Sequence, residues 1–180
     1  MIKGKLLRFL NEIEQHELTG EEIKEQLGYM PILYSDLANI ANVEQLLARG
    51  NGTSIIILYQ ETQYSGHYTL LYKRGSSICF FDPYGLQYDS ELKRLNFNNA
   101  PHLTRILQGV NCISNRFPMQ KYGNRIQDCG SWCITRLKLR HLTDEQFGLL
   151  FKENEQIIDA DKLMLCMNML SVYYKDIETL

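Results

Sequence analysis

His67-Tyr-Thr-Leu-Leu-Tyr-Lys73, the turn Arg74-Gly-Ser-Ser77, and Ser77-Ile-Cys-Phe-Phe-Asp82 read as two antiparallel strands joined by a tight connection. Their aromatic and branched residues suit a pleated, covered surface. Pro83-Tyr-Gly85 ends the second strand, because proline donates nothing to a ladder and glycine favours a turn. Working upstream, Ser54 to Gln60 is rich in Ile and Tyr and reads as a buried strand. Downstream, residues 100 to 108 suit a helix and Val110 to Ser114 another short strand. Helical patterns flank this middle. Leu6, Phe9, Leu10 and Ile13 form one stripe across residues 5 to 16. Thr19-Gly-Glu-Glu22 is a capping box opening a second helix that Gly28 stops. Ser35-Asp-Leu-Ala38 starts a third, and Val43 to Ala48 is a fourth, ended by Arg49-Gly-Asn-Gly52.

After the strands, Cys129 to His141 places Trp132, Cys133, Leu137 and His141 near one helix face. Arg136, Lys138 and Arg140 fall mostly on the other, which is expected to be solvated. Thr143-Asp-Glu-Gln146 is another capping box, for a helix to about Asn154. Asp159 or Asp161 opens a last apolar helix reaching about Tyr174. The expected architecture is α+β, a small mixed sheet from residues 54–114 packed against the helix that begins at Cys129. One domain spans 1–180, with a helical part at 1–50, the sheet and its helix at 53–141, and C-terminal helices at 143–175.

With 180 residues, 44% hydrophobic and 22% charged, the chain has room for about one core, and wholesale disorder is excluded. Apolar runs such as Ile55 to Tyr59 are too short to cross a bilayer, so no membrane is expected. Met1-Ile-Lys-Gly-Lys-Leu-Leu-Arg8 lacks the apolar stretch and cleavage site of a signal peptide. Lys plus Arg number 19 against 21 Asp plus Glu, so strong nucleic-acid binding is not expected. Cysteines stand at 79, 112, 129, 133 and 166, an odd number without a secretion signal, which points to reduced thiols in an intracellular compartment. One CxxxC without a second ligand pair is a poor zinc site, and no metal is expected.

Three segments carry chemistry. Tyr64-Ser-Gly-His67-Tyr68 puts a histidine at the start of a strand. Phe80-Phe-Asp82-Pro-Tyr-Gly85 puts an aspartate at the end of the paired strand. Gln127-Asp-Cys129-Gly-Ser-Trp-Cys133 puts a cysteine at the start of a helix. Taken singly, these read as a surface histidine, a turn aspartate and a core cysteine. Together they meet the needs of a cysteine nucleophile. A free thiol with pKa ~8.5 is mostly protonated at neutral pH. A helix N-terminus and a neighbouring imidazolium both favour the thiolate, and a carboxylate behind the imidazole fixes its orientation. Gly130 lets a substrate carbonyl approach the backbone amides.

The pattern Gly66-His67, an aromatic, Phe81-Asp82-Pro-Tyr-Gly85 and Asp128-Cys129-Gly130 resembles the adenovirus maturation protease and the ubiquitin-like (SUMO-specific) proteases. Both belong to a cysteine-peptidase clan with chain order His, acid, Gln, Cys. The closer likeness is to the short adenain-like thiol proteases of large DNA viruses and virophages, over about residues 33 to 147. Ser131 departs from the Arg often found there, and Tyr68 from the Trp. The resemblance implies Cys129 as nucleophile, His67 as general base and Asp82 as its orienter. It implies a glutamine amide in the oxyanion hole, for which Gln120 and Gln127 are both candidates, the spacing favouring Gln120. Tyr68, Gly130 and Gln127 would contact substrate. The implied reaction is cleavage of capsid or core precursor proteins at Gly-x-Gly or Gly-Gly sites during particle maturation, in the virion and the host cytoplasm or nucleus. The expected chain is a monomer without a cofactor, and an activating peptide like that of the adenovirus enzyme is not indicated. Alternatives are a protease cutting ubiquitin-like modifier tails, and a silent homologue that only binds them.

Overall fold

The computed structural model describes residues 2–62, 66–121 and 127–178. Tyr64 and Ser65 of the first motif lie outside them, as do the side chains of Leu6 and of residues 170–174 in the expected apolar helix. The fold is α+β. Five strands, β1 (Ile32–Leu33), β2 (Ser54–Gln60), β3 (Gly66–Arg74), β4 (Ser77–Phe81) and β5 (Cys112–Ser114), lie side by side in chain order. The central β2–β3–β4 pairs are antiparallel, whereas β1 and β5 join the edges in parallel.

Ser54 to Ile57 is buried without a break, and Ile55-Ile56-Ile57 is a continuous apolar run, because the sheet is covered on both faces. On one face Ile56, Leu70, Tyr72 and Phe81 cluster with Trp132, Cys133 and Leu137 of α6 (Cys129–Lys138) and Phe147 and Phe151 of α7 (Asp144–Lys152). On the other, Ile55, Ile57, Leu71 and Phe80 cluster with Leu37 of a 3-10 helix (Tyr34–Asn39), Leu46 of α3 (Val43–Ala48), Leu92 of α4 (Ser90–Arg94) and Leu103 of α5 (His102–Ile106). The chain begins with α1 (Ile2–Ile13) and α2 (Gly20–Leu27) and ends with α8 (Ala160–Glu178). Both capping boxes form, at Thr19–Glu22 and Thr143–Gln146. Among the described residues no helix is long and apolar enough to cross a membrane.

Two expectations are corrected, and two short elements are added. The helix begun at Ser35 is a 3-10 helix. The added elements, the two-residue β1 and the five-residue α4, are too short for a pattern to recur and so carry no periodic signal. Arg136 is not on a solvated face but fully buried at 0% exposure. Neighbours cover α6 on nearly every side, since all of Cys129 to Leu137 is buried. The guanidinium instead closes the α6–α7 turn, donating to the carbonyls of Leu139 and Leu142 and to Asp144 Oδ1, and lies over the rings of Tyr72 and Phe147.

Candidate active site

The β3–β4 hairpin brings His67 and Asp82 together. Leu70 lies opposite Phe81, and continuing that register puts Tyr84 across from His67. Their rings stack at 4.8 Å and 12°. Asp82, one residue past β4, accepts from the His67 ring, Nε2 to Oδ1 at 3.2 Å. A buried amide fixes its backbone: Asp82 N donates to Asn115 Oδ1 at 2.9 Å, and Asn115 Nδ2 donates to the Asp82 carbonyl at 2.7 Å. Cys129 is the first residue of α6, and its Sγ accepts the Tyr68 N–H at 3.4 Å. The Cys129 side chain is near enough to the His67 ring to raise its pKa. With Nε2 on Asp82, Nδ1 is the nitrogen left for sulfur.

Burial by itself lowers the His67 pKa. The Asp82 hydrogen bond first, then the nearby Cys129 side chain and the charges of both, outweigh it and push the value up to about 10. His67 at 2%, Asp82 at 0% and Cys129 at 4% exposure are all buried. Even so, His67 and Cys129 line a cavity of about 120 Å³ together with Gly66, Tyr84, Gln120 and Gln127. The sulfur therefore faces a small space and not packed core.

Both candidate glutamines reach this cavity, by different routes. Gln120 is buried, and its N–H and that of Met119 donate to the Pro83 carbonyl at 3.0 and 2.8 Å. Gln127 is exposed, and its N–H donates to the Glu14 carbonyl at 3.0 Å. Tyr68 and Gly130 are beside Cys129 but do not line the cavity. A methyl placed on Gly130 would lie 3.3 Å from both Leu18 Cβ and Tyr68 Cδ2.

Sequence reasoning missed three residues. Glu91, on α4, is buried with Oε1 3.7 Å from His67 Nε2. Burial raises its pKa and Asp82 adds to the rise, while His67 and Arg94 oppose it. Arg94 Nε donates to Glu91 Oε2 at 2.5 Å, and the same guanidinium sits 5.5 Å over the Tyr84 ring. Glu17 accepts the Gly66 N–H at 2.8 Å, just before His67. A short helix supplies Glu91 and Arg94, and a contact across 49 positions supplies Glu17, so neither leaves a local pattern.

Two groups of described residues hold three possible metal-ligand atoms within 4.8 Å of one another. They are His67, Asp82 and Glu91, and Glu14, Asp159 and Asp161. In the first, His67 already bonds Asp82 and Arg94 already holds Glu91, so the donors are engaged with one another.

No family model matches the chain. It is 29% identical over 153 residues to a Sputnik virophage protein, Uncharacterized protein V9, an alignment covering 78% of this chain and 86% of that protein.

Proposed function

We propose that the chain is a cysteine endopeptidase working through Cys129, His67 and Asp82. One observation carries this reading. The His67 ring bonds Asp82 and shares a cavity with Cys129, whose sulfur stands at a helix N-terminus and is near enough to raise the His67 pKa. With its pKa pushed up to about 10, His67 is protonated at neutral pH. An imidazolium is the partner that a thiolate at position 129 requires. The sulfur attacks a peptide carbonyl to give a tetrahedral oxyanion, which the Cys129 N–H and the Gln120 amide stabilise. His67 returns its proton to the leaving amine, and water then hydrolyses the thioester with His67 as base.

The close approach of Leu18 and Tyr68 to Gly130 and the small cavity favour substrates with small residues, of the Gly-x-Gly or Gly-Gly kind. The likeness to a virophage protein supports a viral setting, and within it the substrates we propose are structural precursors, cut in the virion or infected cell. A narrow cavity favours equally the Gly-Gly tail of a ubiquitin-like modifier, which is the second reading. A vinyl-sulfone or iodoacetamide probe tests the chemistry. Selective labelling of Cys129 that His67→Ala abolishes is expected, and equal slow labelling of all five thiols would sink the enzyme reading. Gly-Gly-x peptides run beside ubiquitin and SUMO fusions test the substrate. Cleavage of the folded fusions alone would overturn the maturation reading.

A further inference from the structure

We propose that Glu14, Asp128, Asp159 and Asp161 form a binding site for a hard divalent cation of the calcium class, tying the segment after α1 and the start of α8 to the residue before Cys129. Oxygens of Glu14, Asp159 and Asp161 lie within 4.8 Å of one another. The Gln127 N–H bond to the Glu14 carbonyl brings that segment alongside Asp128. Asp128 is 1% exposed, and neither carboxylate oxygen bonds another residue. Asp128 stands outside that trio and beside it, placed there by the Gln127–Glu14 contact, where the charges of Asp161 and Glu14 act on it. Asp161 is also fully buried, with Oδ1 accepting from Trp132 Nε1 at 2.8 Å and Oδ2 unpartnered.

The charges do not balance. Lys121 pairs with Asp159, and Lys162 lies 3.6 Å from Glu14. Two ammonium groups face four carboxylates, and the two that form no ion pair with either, Asp128 and Asp161, are the two deepest, though the Lys121 charge also reaches Asp161. Buried, unpaired carboxylates are strongly disfavoured, so the folded chain takes up either protons or a cation. The donors are all carboxylate oxygen, with no imidazole or thiolate, which excludes a preference for zinc or copper. Four carboxylates supply the many flexible oxygens that calcium accepts. Magnesium insists on a near-ideal octahedron and holds its waters. Lys121 is exposed enough to swing aside. The inference is independent of the peptidase reading, and its test reads no catalysis.

Trp132 is the chain's single tryptophan and touches Asp161, so terbium in the site will be sensitised by indole excitation. The full chain, stripped with chelator, is titrated with terbium and then with calcium. Saturable one-to-one emission that calcium displaces is expected. Calcium at about a hundredfold excess over Kd should raise Tm by roughly 5–10 °C. Glu14→Gln and Asp128→Asn should each weaken binding about tenfold or more, whereas Lys121→Ala should tighten it. No sensitised emission from the wild type, emission that calcium leaves unchanged, or binding undiminished in both carboxamide variants overturns the site. The cluster then holds protons instead. If a variant fails to fold, the wild-type emission and Tm decide alone.

Discussion

His67 Nε2 faces two buried carboxylates, Asp82 at 3.2 Å and Glu91 at 3.7 Å. Loss of a sole orienting carboxylate lowers turnover by about 10⁴. With Glu91 at hand, Asp82→Asn should lose only about 10²–10³ in kcat/KM, since a weaker orienter remains. Glu91→Gln alone should lose less than about tenfold, and the double variant should fall to the full loss. Equal activity of the double variant and Asp82→Asn would remove Glu91 from the reaction. In an NMR titration His67 should stay protonated to about pH 10 and drop well below that in Asp82→Asn, because Asp82 supplies the largest upward contribution. At the oxyanion position, Gln120→Ala should cost about 10²–10³ in kcat with little change in KM. The same loss from Gln127→Ala would move that role to the exposed glutamine. At this scale the sequence made His67, Asp82 and Cys129 legible because each sits at the end of an element. Glu91 was not legible, because its importance arises only from where α4 lands.

The turn Asp82-Pro-Tyr-Gly85 serves two parts of the site at once. It ends β4 with Asp82, and the Pro83 carbonyl berths the segment that carries Gln120. Gly85 makes this possible. Its N–H donates to the Asp82 carbonyl at 2.8 Å, its φ is +72°, and a Cβ there would lie 2.5 Å from the Phe117 carbonyl carbon. Gly85→Ala should therefore destabilise by about 2–4 kcal/mol, adding backbone strain to overlap. It should also lower kcat through both Asp82 and Gln120. Gly75, in the β3–β4 turn at φ +60°, has nothing within 4 Å of an added Cβ. Gly75→Ala should cost only strain, about 1 kcal/mol, and spare turnover. Melting and kinetics of the two variants separate these effects. The hairpin, both capping boxes and the Cys129 helix were legible because local residue order dictates them. β1 and the contact of Glu17 with Gly66 were not, since each depends on partners tens of residues away. Arg136 misled because helical periodicity reports which face is apolar, and α6 has no free face.

Across the whole molecule, Asp128 and His67 are two of the buried groups that make stability fall with rising pH, Glu91 and Asp161 acting in the same sense. Burial, then Asp161 and Glu14, push the Asp128 carboxyl from its ordinary 3.8 up to about 8. Between those values the folded chain holds a proton that the unfolded chain has released, so stability falls as pH rises. His67, raised from 6.5 to about 10, acts likewise. Its contribution is complete below 6.5 and is lost as pH climbs through about 10. In chelator, the urea midpoint should thus decline from mildly acidic to alkaline pH, first through Asp128 and then through His67. Asp128→Asn keeps a neutral side chain at every pH and should flatten the limb between about 4 and 8, leaving the limb toward 10 in place. His67→Gln should do the reverse. Calcium should also flatten the Asp128 limb, because a bound cation replaces the proton as the balancing charge. A wild-type midpoint that rises steadily from pH 5 to 9 in chelator would show that Asp128 is ionised at no penalty. The buried charge imbalance at the foot of the Cys129 helix would then have to be neutralised by groups other than these four carboxylates and two lysines.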